Sequence, residues 1–248
     1  MKVVILAGGL GTRLGEETKF KPKPMINIGK DPILMHIINI YKNFNQKEFL
    51  IAGGYKSNII KKFFEKKKIK DLKIEVINTG NKSMTGGRVY KLKKYITEDR
   101  FMLTYGDGLA NINIKKLLYF HNQEKKTATI TVVRPPARWG NVTIKKNLII
   151  KFEEKNQLNE GWINGGFFIF EKKIFKFFNK FKFKNNIILE KDILPILSKK
   201  KQLVAYKHLG FWKCMDTVRD KLYLINLIKN NQFPWLKFKN DKFKILEK

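Results

Sequence analysis

The chain has 248 residues, a length that suits one large α/β domain with room for a full hydrophobic core. Its formal net charge of +31 raises the question of a polyanionic partner such as nucleic acid. The lysines are spread along the chain rather than gathered in one arm, and no zinc-finger spacing or aromatic RNA-binding signature accompanies them. We therefore expect no specific nucleic-acid partner.

A single cysteine, Cys214, excludes an intramolecular disulfide and fits a reducing compartment. Met1 leads directly into an apolar strand pattern without signal-peptide features. No apolar run approaches the roughly 18 residues that a membrane span requires. Composition thus predicts a cytoplasmic protein without a membrane span.

Strand and helix patterns alternate through the first half of the chain. We predict strands at residues 1–6, 49–52, 73–77 and 101–105. We predict helices at residues 31–44, 57–64 and 87–96, the first capped by Asp31 with Pro32 at its first helical position. Repeated strand–helix units imply right-handed crossovers and a largely parallel, twisted sheet.

The second half is less regular. It contains a predicted strand at 127–133, a hairpin over 141–152 that turns near 146–147, and an apolar run at 163–170 interrupted by Asn164-Gly165-Gly166. Helices are predicted at 171–180, 189–199 and 217–229. No internal repeat or flexible linker divides the sequence, so we predict a single domain over residues 1–248.

The most informative segment is a glycine-rich turn after the first strand, where Gly8, Gly9 and Gly11 lead to Arg13 and, further on, to Lys23. Such a turn exposes backbone N–H groups that can cradle phosphate oxygens. It is not a P-loop, since Thr12-Arg13 follows Gly11, and it is not a dinucleotide fingerprint, since Leu14 stands where a third Gly or Ala is needed. A purely steric role for the glycines stays open at this point.

Two aspartates are candidate metal ligands. Asp107 lies between two glycines directly after a predicted buried strand, at the sheet edge where ligands gather in α/β proteins, and Asp216 precedes a predicted helix. The alternatives are a simple turn at Asp107 and a helix cap by Asp216 or Thr217. The three histidines share no metal-ligand spacing, and no Cys–His pairing supports nucleophilic catalysis by Cys214.

Taken together, these segments resemble a known enzyme family. Residues 6–13 with 21–25 resemble the signature of sugar-phosphate nucleotidyltransferases, and residues 105–108 and 210–217 resemble the two aspartate motifs of glucose-1-phosphate cytidylyltransferases. Residues 53–56, 78–80, 84–88, 163–168, 216–221 and 233–235 recur in that branch in the same order. The resemblance implies a Rossmann-like three-layer nucleotidyltransferase fold with a mixed, mostly parallel central sheet. Its nucleotide-binding half would span about residues 1–110 and its sugar-binding half about residues 111–235.

The resemblance also implies substrates, a cofactor and site residues. The substrates would be CTP and a sugar 1-phosphate, the cofactor Mg²⁺ on Asp107 and Asp216, the catalytic residues Arg13 and Lys23, and the assembly a homo-oligomer. The nucleotide would contact Leu6, Ala7, Gly8, Gly9, Leu10, Gly11, Thr12, Arg13, Lys23, Ser83, Gly87, Arg88 and Asp107. The sugar phosphate would contact Gly140, Glu154, Lys155, Asn164 and Gly165.

Three departures from the family pattern limit what the resemblance implies, and the last of them leaves the sugar and the oligomer contacts open. Asn156 replaces the proline of the usual Glu-Lys-Pro, Leu209 replaces the proline before Gly-Phe-Trp, and the segment between residues 56 and 78 is short. The alternatives are a thymidylyl-, uridylyl- or guanylyltransferase, or a cytidylyltransferase for another phosphorylated sugar. A non-catalytic polyanion-binding protein is the alternative from a different class.

Overall fold

The computed structural model describes residues 1–134, 141–145, 147–153 and 161–237. The strands are β1 (Val3–Ala7), β2 (Asn27–Ile28), β3 (Asp31–Pro32), β4 (Glu48–Gly53), β5 (Lys73–Asn78), β6 (Arg100–Tyr105), β7 (Gly108–Ala110), β8 (Ala128–Val133), β9 (Asn141–Lys145), β10 (Leu148–Glu153), β11 (Ile163–Asn164), β12 (Phe168–Glu171), β13 (Leu203–His208) and β14 (Trp212–Cys214). The α-helices are α1 (Glu16–Phe20), α2 (Ile33–Lys42), α3 (Ser57–Lys66), α4 (Thr85–Lys91), α5 (Ile114–Glu124), α6 (Leu194–Lys199) and α7 (Val218–Lys229).

An eight-stranded mixed sheet forms the centre of the fold. Strands β5, β4, β1 and β6 lie side by side and parallel. The next position is shared by β11 and β12, which run antiparallel to their neighbours, and β8 and β13 complete the sheet with a parallel pair. The predicted mixed, mostly parallel sheet is confirmed.

The position shared by β11 and β12 is one strand interrupted by Asn164-Gly165-Gly166-Phe167. Gly166 has φ +75° and Phe167 φ 49°, so the chain leaves extended geometry there. A Cβ atom at Gly165 would lie 2.8 Å from Val133 Cγ1, so the adjacent strand packs closely on this glycine. The interruption places Asn164 beside the end of β6, where it contacts Tyr105.

Two hydrophobic clusters cover the two faces of the sheet. Val3 and Ile5 of β1 belong to one cluster, and the alternate residues Val4 and Leu6 belong to the other. Both faces of β1 are therefore buried, which explains why its sequence is continuously apolar rather than alternating. In the first cluster, the fully buried Trp235 packs edge-on against His36 of α2.

Most of the predicted elements are confirmed, including the hairpin formed by β9 and β10. The start of α2 differs from the prediction, because Asp31 and Pro32 pair with β2 and the helix begins at Ile33 without a side-chain cap. The predicted helix at 171–180 is a 3-10 helix from Lys172 to Lys180, and the helix at 189–199 begins as a π-helix from Leu189 to Ile193.

The sequence analysis did not predict α5 or β13. In α5 only Ile114, Leu117 and His121 are buried, so its apolar stripe is too sparse to stand out. In β13 alternate residues from Ala205 onward are exposed, and the strand is held mainly by its parallel pairing with β8. None of the helices in the described part of the chain is both long and apolar enough to cross a bilayer.

Candidate active site

A cavity of about 640 Å³ opens at the carboxyl edge of the sheet, beside the ends of β1 and β6. Twenty residues line it: Leu6, Gly8, Gly9, Leu10, Gly11, Arg13, Lys23, Pro24, Asn81, Ser83, Met84, Thr85, Arg88, Tyr105, Gly106, Asp107, Asn164, Trp212, Cys214 and Asp216. Twelve of the residues predicted from the sequence are among them. The cavity has the volume and the mixture of apolar and charged walls that are typical of a small-molecule site.

The glycine-rich turn forms one wall of this cavity. Gly11 has φ +68°, a left-handed conformation that glycine adopts without strain. A Cβ atom at Gly8 would collide with a guanidinium group behind the turn, whereas Gly9 has open space around its Cα. The absence of side chains at these glycines therefore avoids a clash with the protein behind the turn and also leaves space for a phosphate on the cavity side.

Lys23 lies between the two predicted metal ligands. Its Nζ donates to Asp216 Oδ1 at 2.7 Å and contacts Asp107 Oδ2 closely. Burial alone lowers the pKa of Lys23, but the Asp107 and Asp216 carboxylates more than offset this, so its pKa is raised. Lys23 is thus a fixed ammonium at the floor of the cavity, with its side chain only 13% exposed.

The two carboxylates meet because of a pairing that is distant in sequence. β14 pairs antiparallel with β7, which places Cys214 opposite Gly108, and Met215 N donates to Asp107 O at 2.9 Å. Thr217, not Asp216, caps α7, and it forms a reciprocal capping box with Asp220. Asp216 therefore does not cap the helix, and its carboxylate faces the cavity.

The donor atoms around this point fit a divalent cation. Ligand atoms of Asp107, Cys214 and Asp216 all lie within 4.8 Å of one another. Burial raises the pKa of the Cys214 thiol, and the Asp107 carboxylate adds to the effect, so the sulfur is a neutral, weak donor. The two carboxylates are hard oxygen ligands of the kind that Mg²⁺ binds together with substrate phosphates.

Arg13 stands at the mouth of the cavity. Its side chain is 71% exposed, and its Nη1 lies 3.1 Å from Asp216 Oδ2. A guanidinium at an exposed position gains little from one ion pair, so it is available to an incoming anion. This placement suits the predicted contact with a polyphosphate.

The predicted nucleotide residues Ser83 and Arg88 are held by the protein itself. Ser83 is buried, donates to Thr79 O at 2.5 Å and accepts from Lys91 Nζ at 3.0 Å. Asn81, Met84 and Thr85 line the cavity beside them and are more exposed than Ser83 and Arg88. A nucleotide base at this wall would meet those residues first.

Arg88 binds backbone carbonyls at the carboxyl ends of three strands, β1, β4 and β5. Its guanidinium donates to Gly8 O at 2.8 Å, Gly53 O at 3.1 Å and Gly80 O at 2.9 Å. Only 5% of the residue is exposed, and it has no carboxylate partner within the described parts of the chain. Burial lowers the pKa of Arg88, but a guanidinium remains protonated at neutral pH. Arg88 thus fixes the glycine-rich turn to the loop that follows β5.

Four of the predicted nucleotide and sugar residues do not line the cavity. Ala7 is the last residue of β1 and is buried in the core, and Thr12 lies in a 3-10 turn. A Cβ atom at Gly87 would lie 2.5 Å from Asn185 O, so that glycine serves helix packing. Gly165 accepts a hydrogen bond from Trp212 Nε1 at 2.9 Å.

Asn164 does reach the cavity, next to Tyr105. The predicted sugar-phosphate residues Gly140, Glu154 and Lys155 lie outside the described residues. Sequence reasoning missed Tyr105 and Trp212 as wall residues, although both lie inside the motifs on which the family resemblance rests. Both rings are apolar surfaces with a polar tip, and their direction was not readable from the sequence.

A glycine-rich turn, a buried lysine and two facing carboxylates at the edge of an α/β sheet are residue types that suit phosphate groups and a divalent metal. Residues 2–224 match the family model described as nucleotidyl transferase, and the chain belongs to that family. It is 38% identical to the glucose-1-phosphate cytidylyltransferase of Salmonella typhimurium, over 95% of this chain and 98% of the relative.

Two further relatives act on or bind guanine nucleotides. The D-glycero-alpha-D-manno-heptose 1-phosphate guanylyltransferase of Campylobacter jejuni is 34% identical over 72% of this chain and 79% of that protein. The structure of HddC from Yersinia pseudotuberculosis complexed with GMP-PN superposes with a TM-score of 0.72 and 25% identity, over 92% of this chain and 99% of that one. The fold and the enzymatic class are therefore shared across relatives that differ in the base.

Proposed function

We propose that this protein is a sugar-1-phosphate cytidylyltransferase that converts CTP and α-D-glucose 1-phosphate, or a related sugar phosphate, into a CDP-sugar and pyrophosphate. The observation that carries the proposal is the convergence of Lys23, Asp107 and Asp216 beside the glycine-rich turn. The identity to the Salmonella cytidylyltransferase over nearly the whole of both chains supports the choice of substrates.

The proposed reaction is an in-line attack of the sugar-phosphate oxygen on the α-phosphorus of CTP. A phosphate monoester has a second pKa near about 6, so it is largely dianionic at neutral pH and needs no strong general base. Catalysis then consists of positioning and charge stabilisation, which suits a cavity whose described lining residues include no activated Ser, Cys or His.

Each basic residue has a proposed role in that scheme. Arg13, exposed at the mouth, neutralises the β- and γ-phosphates as pyrophosphate leaves. Lys23, at the floor, bridges the α-phosphate and the sugar phosphate. Asp107 and Asp216 would hold Mg²⁺, which polarises phosphoryl oxygens when it is bound.

The cavity wall is built from both halves of the chain, which supports one binding region for each of the two substrates. The glycine-rich turn, Lys23 and Asp107 come from residues before about 110, whereas Asn164, Trp212 and Asp216 come from the later half. We propose that the nucleotide occupies the first wall and the sugar phosphate the second. A homo-oligomer and a cytoplasmic location stay expectations from family likeness and composition.

Incubation with Mg²⁺, each of the four common NTPs and a panel of sugar 1-phosphates tests the proposal, with the product identified by mass. We expect CDP-glucose, or the CDP form of a related sugar, as the main product. A clear preference for GTP would overturn the cytidylyl assignment in favour of the guanylyl alternative that two relatives suggest.

The polyanion-binding alternative predicts a different outcome. It requires a nucleic-acid affinity that falls steeply with salt and no nucleotidyl transfer. Asp216→Asn is expected to abolish transfer, because one of the two carboxylates at the metal position is lost, whereas it would leave nucleic-acid binding unharmed. An Asp216→Asn variant with wild-type turnover would contradict the proposed site.

A further inference from the structure

Glu190 lies behind the cavity wall and joins two of its sides. It belongs to the π-helix from Leu189 to Ile193, a rare helix form that is frequent at functional sites. Its Oε1 accepts a hydrogen bond from Tyr105 Oη at 2.6 Å, and its Oε2 accepts one from Thr85 Oγ1 at 2.6 Å. Both donors line the cavity, whereas Glu190 itself does not.

The hydrogen bonds extend from Glu190 in both directions. Asn164 Nδ2 donates to Tyr105 Oη at 2.9 Å, and Leu189 N donates to Thr85 Oγ1 at 2.9 Å. Because an ionised carboxylate only accepts, both hydroxyl hydrogens must point at Glu190, and both hydroxyl oxygens are then free to accept. Donation therefore converges on Glu190 from both sides, from Asn164 through Tyr105 and from Leu189 N through Thr85.

The network leaves one group of Asn164 available to a ligand. Its Oδ1 accepts from Gly166 N at 2.9 Å, and one of its two amide N–H groups is used by Tyr105. The second N–H has no partner among the residues that the structure describes, and Asn164 lines the cavity. The orientation of that donor depends on the Tyr105 hydroxyl, which in turn depends on Glu190.

The other end of the network fixes the nucleotide wall. Thr85 is the first residue of α4, and the segment from Asn185 to Ile187 packs against the glycines of that helix. Met84 N donates to Asn185 O at 2.9 Å, and Gly87 N donates to Ile187 O at 3.0 Å. Glu190 lies three residues after this segment and accepts from Thr85 Oγ1, so a shift of its carboxylate would move the support of the nucleotide wall.

Glu190 has no ion pair with any residue that the structure describes, so the two hydroxyls are its main stabilisation. Hydrogen-bond chains polarise one another in a low-dielectric environment, which makes such a network cooperative. A local change at one end is therefore transmitted to the other, because the carboxylate in the middle must satisfy both donors.

We propose that Glu190 is a positioning residue that couples the sugar-phosphate side of the cavity, at Asn164, to the nucleotide side, at Thr85. This inference rests on the proposed function, since it uses the two substrates of that reaction. Its consequence is that removal of the Thr85 hydroxyl affects the sugar phosphate although Thr85 lies on the nucleotide side.

The test is a double-mutant cycle with Thr85→Val and Asn164→Ala, in the wild-type background and in Glu190→Ala. Thr85→Val is expected to raise the KM for the sugar phosphate at least about 3-fold, and its effect on kcat/KM should combine non-additively with that of Asn164→Ala. In the Glu190→Ala background the two effects should multiply independently. Thr127→Val, which removes a hydroxyl bonded to Gln202 away from the cavity, is the matched control and should leave the KM unchanged.

Additive effects in the wild-type background, or an unchanged sugar-phosphate KM in Thr85→Val, would overturn the inference. If Glu190→Ala does not fold, Glu190→Gln replaces it. The amide oxygen of the glutamine accepts a hydrogen bond from one hydroxyl, but its NH₂ group cannot accept one from the other hydroxyl. A wild-type enzyme that forms no CDP-sugar would instead refute the proposed function, so the two failures are distinguishable.

Discussion

Replacement of Arg88 by alanine tests whether this residue serves the scaffold or the ligand. Its guanidinium is buried and holds the carbonyl oxygens of Gly8, Gly53 and Gly80, which lie at the carboxyl ends of β1, β4 and β5. The family resemblance predicts a nucleotide contact, whereas the hydrogen bonds indicate a structural anchor. Arg88→Ala separates the two, because only the anchor contributes to the stability of the protein without ligand.

The expected loss follows from the acceptors that Arg88 would leave behind. Gly53 O keeps hydrogen bonds from the backbone N–H and the hydroxyl of Thr79, and Gly8 O keeps only a long one from Tyr55 N at 3.4 Å. Gly80 O has no second donor within the described residues. Two acceptors are thus left poorly satisfied, at about 1–3 kcal/mol each, and water can enter from the cavity side. We expect a loss of about 3 kcal/mol in the free energy of unfolding.

Urea denaturation without nucleotide measures this loss, followed by circular dichroism at constant protein concentration. The matched control is Arg100→Ala, which removes a half-exposed guanidinium that pairs with Glu171 at 3.2 Å. It should cost no more than about 1 kcal/mol. An Arg88→Ala protein within about 1 kcal/mol of wild type that no longer binds nucleotide would refute the anchor and support a direct contact.

Three further outcomes follow from the site and its supports. Lys23→Gln should bind Mn²⁺ about 10-fold more tightly without nucleotide, because the ammonium no longer competes for the two carboxylates. Electron paramagnetic resonance of free Mn²⁺ measures the affinity, and an affinity equal to that of the wild type would contradict the prediction. Gly8→Ala should lower the melting temperature strongly in calorimetry, because its Cβ would collide with the buried guanidinium, whereas Gly9→Ala, in open space, should melt like wild type. Burial alone would raise the pKa of Asp220, but hydrogen bonds from Lys213 and the helix cap outweigh burial, so the pKa is lowered. The contribution of Asp220 to folding stability is therefore present above the ordinary pKa near 4 and is lost as the pH falls. Asp220→Asn should therefore cost about 1 kcal/mol at pH 7 and less at pH 3 in urea titrations, and an equal cost at both pH values would be inconsistent with an ionised cap.

The buried strands and the glycine-rich turn were readable from the sequence because they depend on neighbouring residues. β1 is continuously apolar since both of its faces are buried, and a strand that runs into glycines indicates a turn without any knowledge of the rest of the fold. The same holds for the Thr217 cap of α7, which was one of two candidates in the sequence. Where the local signal was weak, as in α5 and β13, the elements were missed.

The composition of the site depended on pairings between distant segments. Asp216 faces Asp107 only because β14 pairs with β7, and one residue of register shift would turn its neighbours to the other face. Arg88 is surrounded by carbonyl oxygens at the carboxyl ends of β1, β4 and β5, an arrangement that its position at the start of a helix does not reveal.

The sequence by itself determined the class of chemistry, through residue types that suit phosphate and metal at the end of a buried strand. The tertiary structure decided which of those residues face the cavity and which support it, and it added Glu190, which no motif marked. The physical reason is that residue type fixes what a side chain can bind, whereas its direction and its partners depend on long-range packing.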